Sequence, residues 1–101
     1  MAHYYAGIDL GTTATKAVVF NQKGDVLYQV SREYPMYHPK PECSTQHPQD
    51  LLTATKECIE DILARFEVRF ISFSAAMQSL ILVDEHHQTM TDCMIWADNR
   101  A

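Results

Sequence analysis

The stretch GIDLGTTATKAVVF, Gly7 to Phe20, constrains the fold more than any other part of the chain. Tyr4 to Leu10 and Thr13 to Phe20 are both rich in residues that suit strands. Gly11-Thr12-Thr13 links them, and a link this short that carries glycine reads as a hairpin loop. Asn21 to Asp25, with Gly24, leads in the same way to a third strand-like run, Val26 to Glu33. The opening third is therefore expected to be a three-stranded antiparallel meander. One feature does not fit a plain meander. The first strand ends in a carboxylate, Asp9, beside a turn rich in hydroxyls, and Lys16 follows shortly after.

Beyond the meander, Pro35 to Pro48 holds all four prolines of the chain, so it is expected to be a loop. Pro48 suits the first position of a helix, and Asp50 suits the positive end of the helix dipole. Leu51, Thr55, Cys58, Ile59, Ile62 and Phe66 recur at helical spacing. The pattern predicts one amphipathic helix over Pro48 to Phe66 that lays this stripe on the sheet. Arg69 to Ser74 and Ser79 to Val83 are predicted strands, and Asp84 to Gln88 a polar turn. The sequence ends just after a polar cluster with no visible terminating element, as the middle of a domain would.

Composition narrows the functional classes. With 101 residues the chain is sized for one small domain, and 47% hydrophobic residues argue for a packed core. A net charge of -5 disfavours nonspecific nucleic-acid binding, which needs a basic surface. No segment is long and apolar enough to span a bilayer, and the N-terminus does not read as a signal peptide. Cys43, Cys58 and Cys93 are odd in number and lack a CxxC spacing, so neither a zinc site nor a disulfide framework is expected, and a reducing cytoplasm is the default.

Three stretches carry residues suited to chemistry. In the first hairpin, Gly11 can let backbone N–H groups face an anion, Thr12 and Thr13 add hydroxyls, and Lys16 adds positive charge. Asp9 can hold Mg²⁺ directly or through water. A phosphate site and a merely polar hairpin tip both remain open on these residues. Ser72 to Ser79 offers small residues and Gln78, which can hydrogen-bond a polyol, although a plain connection with Met77 in the core fits as well. Trp96, Asp98 and Arg100 offer an apolar wall with groups for hydroxyls, or else a core Trp before a solvated turn. His86-His87 reads better as an exposed turn than as a metal pair, because adjacent residues on a strand point to opposite faces. Cys58 reads as a small buried hydrophobe.

Taken in order, GIDLGTTATKAVVF, PKPECSTQHPQD, ISFSAAMQSLILVDE and IWADNRA resemble the N-terminal portion of the FGGY carbohydrate kinases. The SAAM and WADNR wording looks most like the gluconate kinase branch, with xylulokinases next. The resemblance implies an α/β, ribonuclease H-like domain of the actin/hexokinase type, with ATP and sugar bound between two such domains. It implies that Asp9 helps place Mg²⁺ and that Gly11, Thr12, Thr13 and Lys16 lie near the phosphates. It implies that Met77, Gln78, Trp96, Asp98 and Arg100 face the substrate, a sugar or sugar acid. A homodimer is compatible with it, and a non-catalytic binding module that kept half of the fold is the competing reading.

The chain departs from the family pattern at several positions. The usual PxPGWxEQDP lacks its Gly-Trp pair, Thr45 stands where Glu is usual, and His47 stands where a capping Asp is usual. Histidine is a poorer N-cap, so a weaker helix start is expected. Gln78 replaces a common histidine. Family members are several times longer, and their general base lies in the part missing here. The 101 residues are thus expected to be an N-terminal piece of the first domain, inactive alone.

Overall fold

The structure is a computed structural model that describes residues 3–75 and 80–95. Strands β1 (Tyr4–Leu10), β2 (Ala14–Phe20) and β3 (Val26–Glu33) form the expected antiparallel meander. The link from β2 to β3 turns on Gly24, whose φ of 87° favours glycine, and the Asn21 side chain accepts from the N–H groups of Lys23 and Asp25.

After β3 the chain leaves the sheet. The proline-rich segment is not wholly loop, as its prolines suggested. It contains a two-residue strand, β4 (Thr45–Gln46), which pairs with β6 (Cys93–Met94) in a separate small sheet. Prolines flank this strand without entering it, so its ladder keeps every N–H it needs. Helix α1 (Pro48–Arg65) follows, with Pro48 in its first turn, and Phe66 closes it through a bond from its N–H to the Ile62 carbonyl, 2.9 Å. Strand β5 (Val68–Ala75) then returns beside β1 in parallel, giving the order β3-β2-β1-β5.

Alternation along the strands sets two unlike faces. Ala6 and Ile8 of β1 and Thr15, Ala17 and Val19 of β2 point to one side, where Ala54, Thr55, Cys58 and Ile62 of α1 cover them. Full burial of Ile8, Val19 and Ile62 contributes about 1.5–3 kcal/mol apiece. The helix lies over β2 and β3, so β5 is left largely uncovered, with Phe70 and Phe73 exposed. The predicted strand Ser79 to Val83 is a correction. Ser79 lies outside the described residues, and Leu80 and Val83 make only isolated bridges, to Met94 and Thr89. An apolar run alone does not supply a partner strand. Asp84 to Gln88 is the expected turn, in which the Asp84 carboxylate accepts from the N–H groups of His86 and Gln88.

Candidate functional site

On the sheet face away from α1, strand register builds a polar row. Asp9 stands opposite Lys16 of β2 and opposite Ser74 of β5, and Lys16 in turn stands opposite Ser31 of β3. Directly paired residues share a face, so carboxylate, ammonium and hydroxyl stand side by side. Asp9 and Lys16 are both exposed. They line an open groove of about 400 Å³ together with Gly7, Val18, Ser72 and Ser74. Gly7 keeps its floor low. A larger hollow of about 680 Å³ runs along Pro39 to Cys43 and contains none of the expected site residues.

The β1–β2 turn sits at the end of this row. Its reason for glycine differs from the expectation. Gly11 does not adopt a positive φ, and its N–H is taken by the Ala14 carbonyl at 2.9 Å. A Cβ there would lie 3.1 Å from that same oxygen and crowd it, so glycine suits the close approach. Thr13 belongs to the turn, not to β2. All three turn carbonyls are held. Tyr34 Oη donates to Gly11 O at 2.5 Å, Gln46 Nε2 donates to Thr12 O at 2.5 Å, and Tyr34 N donates to Thr13 O at 3.1 Å. The hydrogen bonds of the described residues include none from the N–H of Thr12 or Thr13.

Behind the turn lies a buried chain of hydroxyls. Thr15 donates to Tyr34 Oη at 3.4 Å, and Thr55 of α1 lies 3.2 Å from Thr15 Oγ1. A hydroxyl has one proton, so Thr55 is the donor to Thr15. Burial pushes the Tyr34 phenol above its ordinary value, which keeps it a donor. Sequence reasoning placed Asp9, Gly11, Thr12, Thr13 and Lys16 in one hairpin, and the structure brings these residues together. It missed Tyr34 and Gln46, whose only signal was a polar residue embedded in apolar or proline-rich surroundings. Met77, Gln78, Trp96, Asp98 and Arg100 lie outside the described residues.

His47, where a capping Asp is usual, makes no side-chain cap. Its ring stacks on Tyr37 at 3.9 Å instead, with Asp92 at 3.7 Å and Asp50 at 4.0 Å. Among the described residues no group of three or more His, Cys, Asp or Glu could hold a metal ion, and no helix is long and apolar enough to cross a membrane.

A four-stranded sheet with one covering helix and a polar hairpin tip matches a known class. Residues 4–101 match the N-terminal domain of the FGGY family of carbohydrate kinases. The chain belongs to that family. It is 41% identical over 104 residues to the gluconokinase of Bacillus subtilis (strain 168), covering 100% of this chain and 20% of that protein. It is 34% identical over 102 residues to the xylulose kinase of the same organism, covering 96% of this chain and 20% of that one. Among solved structures, gluconate kinase from Lactobacillus acidophilus superposes with a TM-score of 0.91 at 33% identity, over 98% of this chain and 20% of that chain. The chain thus spans about a fifth of the length of the relatives it matches. The fold is the α/β, actin/hexokinase-like arrangement that these kinases share.

Proposed function

We propose that the chain is the N-terminal part of the first domain of an ATP-dependent carbohydrate kinase that acts in the cytoplasm. The kinase transfers the γ-phosphoryl of ATP to a hydroxyl of a sugar or sugar acid, with D-gluconate as the substrate and 6-phosphogluconate as the product. The observation that carries this reading is the row of Asp9 and Lys16 beside the Gly11–Thr13 turn, in a chain of this family. The higher identity to a gluconokinase than to a xylulose kinase supports gluconate.

The residues suit Mg²⁺ and phosphate. One exposed carboxylate with hydroxyls nearby fits a hard cation that prefers oxygen and keeps several waters, so Asp9 holds Mg²⁺ directly or through water. Bound Mg²⁺ supplies charge neutralisation on the phosphate oxygens. Thr12 and Thr13 donate to phosphate through backbone and hydroxyl, and Lys16 adds a positive charge along the row. Met77, Gln78, Trp96, Asp98 and Arg100 face the sugar. In the transfer, the bond from the γ-phosphorus to the bridging oxygen breaks and a bond to the sugar oxygen forms. The hydroxyl proton leaves to an aspartate beyond this chain, so Asp9 positions and does not act as base.

The test uses the full-length protein with ATP and Mg²⁺ on gluconate, xylulose, glycerol and ribulose. Turnover is expected on gluconate and is expected to fall at least about 100-fold in Asp9→Asn. Turnover of xylulose without gluconate would move the protein to the xylulokinase branch. The 101-residue piece alone is expected to phosphorylate none of them.

A further inference from the structure

We propose that Gln46 and Tyr34 are positioning residues that aim the N–H groups of the β1–β2 turn at the nucleotide phosphates. The inference rests on the reading of that turn as a phosphate site. In a trans peptide the C=O and the following N–H point in opposite directions within one rigid plane. Among the described residues no peptide bond is cis. Holding the Gly11 carbonyl therefore aims the Thr12 N–H the other way, and holding the Thr12 carbonyl does the same for the Thr13 N–H. Tyr34 Oη and Gln46 Nε2 hold these two carbonyls, each at 2.5 Å.

Both holders are themselves fixed. Gln46 is 2% exposed and sits in the β4–β6 ladder opposite Cys93, so its amide reaches the turn from a separate sheet. Thr12 O can only accept, which requires the NH₂ side of the Gln46 amide to face it. Tyr34 is 7% exposed, donates its backbone N–H to Thr13 O and accepts a hydrogen bond at its Oη from Thr15 Oγ1. The turn is thereby braced from two directions, by the helix side through Thr55, Thr15 and Tyr34, and by the β4–β6 side through Gln46. Strand β6 ends one residue before the described chain does, at Ile95, and the expected substrate-side residues follow directly. The Gln46 brace thus starts from β4, whose ladder partner β6 precedes the expected substrate-side residues in the sequence.

The test compares wild type, Gln46→Met, Tyr34→Phe and Asp9→Asn in the full-length protein. Gln46→Met keeps length and removes the donor, and Tyr34→Phe keeps the ring and removes the hydroxyl. For both, KM for MgATP is expected to rise about ten-fold with KM for the sugar substrate within about two-fold. Without nucleotide, amide exchange at Gly11, whose N–H closes the turn, is expected to speed up about ten-fold while the amides of α1 keep their rates. If Asp9→Asn abolishes turnover but both brace variants leave KM for MgATP within about two-fold, the positioning inference fails and the phosphate reading stands. Equal acceleration of turn and α1 amides also overturns it, because that marks a general loss of stability. If Asp9→Asn retains full turnover, the phosphate reading fails and takes this inference with it.

Discussion

Thr15 is a polar residue with no exposure at all, set among Ala17, Val19 and Cys58. It is tolerated because its hydroxyl both gives and receives a hydrogen bond, to Tyr34 and from Thr55. Thr15→Val keeps the shape but leaves the Thr55 hydroxyl without its acceptor. Stability in urea unfolding is expected to fall by about 1–3 kcal/mol. The double variant Thr15→Val, Thr55→Val is expected to lose less than the sum of the two, since replacing both partners removes the unmet groups as well. Cys58 is the neighbouring case. Its burial pushes the thiol above its ordinary value, and the thiolate is the reactive form. A thiol reagent near pH 8 is expected to leave Cys58 unmodified in the folded protein and to label it on unfolding. Prompt labelling under native conditions would contradict the burial found here.

Helix α1 shows what a pattern of elements makes readable. Pro48, the acidic first turn and the apolar spacing place it to within one residue, because helix signals are local in sequence. Strand β4 was not readable in the same way, since its partner β6 lies far along the chain and two residues carry no period. The weak start that His47 suggested is seen as a missing side-chain cap. His47→Asn is expected to slow amide exchange at Gln49, with a gain of up to about 1 kcal/mol from the cap, reduced by the lost stacking on Tyr37. At the other end, the Tyr28 hydroxyl donates to Asp61 at 2.8 Å and Arg65 lies 3.0 Å from the same carboxylate. The Tyr28 hydrogen bond, then Arg65, hold the Asp61 carboxyl below its ordinary value of 3.8. A lowered folded-state value means that the unfolded chain binds the extra proton first. The stabilisation is therefore present above pH 3.8 and is lost as pH falls below it toward the folded value. Acid unfolding followed by circular dichroism is expected to begin less steeply in Asp61→Asn, which lacks this titration.

At the scale of the whole molecule, the sheet is only half wrapped. The radius of gyration is 15.7 Å, against about 13 Å for a compact domain of this length. The accessible surface is 7028 Å², against roughly 5,800 Å² for a folded monomer of this mass. The meander and the hairpin tip were legible because they are sequence neighbours, but the brace on that tip was not. Gln46 reaches it only through the path of the proline-rich segment, which no local pattern encodes. Tyr34, one residue past β3, reaches it through the β2–β3 register, with a hydroxyl contact to Gly11 that the strand pattern does not reveal. The openness has one main source. β5 is an edge of the sheet among the described residues, and Phe70 and Phe73 on it are 67% and 60% exposed. Phe70 stacks on Tyr5 of β1, ring centroids 5.8 Å apart, on the face away from α1, and Phe73, registered with Ile8, stands on the other face, so the edge is apolar on both sides. An unpaired edge carrying large apolar side chains is a template for another strand. The 101-residue chain in isolation is therefore expected to self-associate, with light scattering giving a mass above the 11.6 kDa monomer. Phe70→Lys with Phe73→Glu is expected to return it to the monomer, because charge on an edge strand opposes pairing. The same double change in the full-length protein is expected to lower stability without producing a monomer-to-dimer difference, on the expectation that the rest of that protein covers β5. A monomeric isolated chain with both phenylalanines in place would show that the edge is shielded by its own remaining residues.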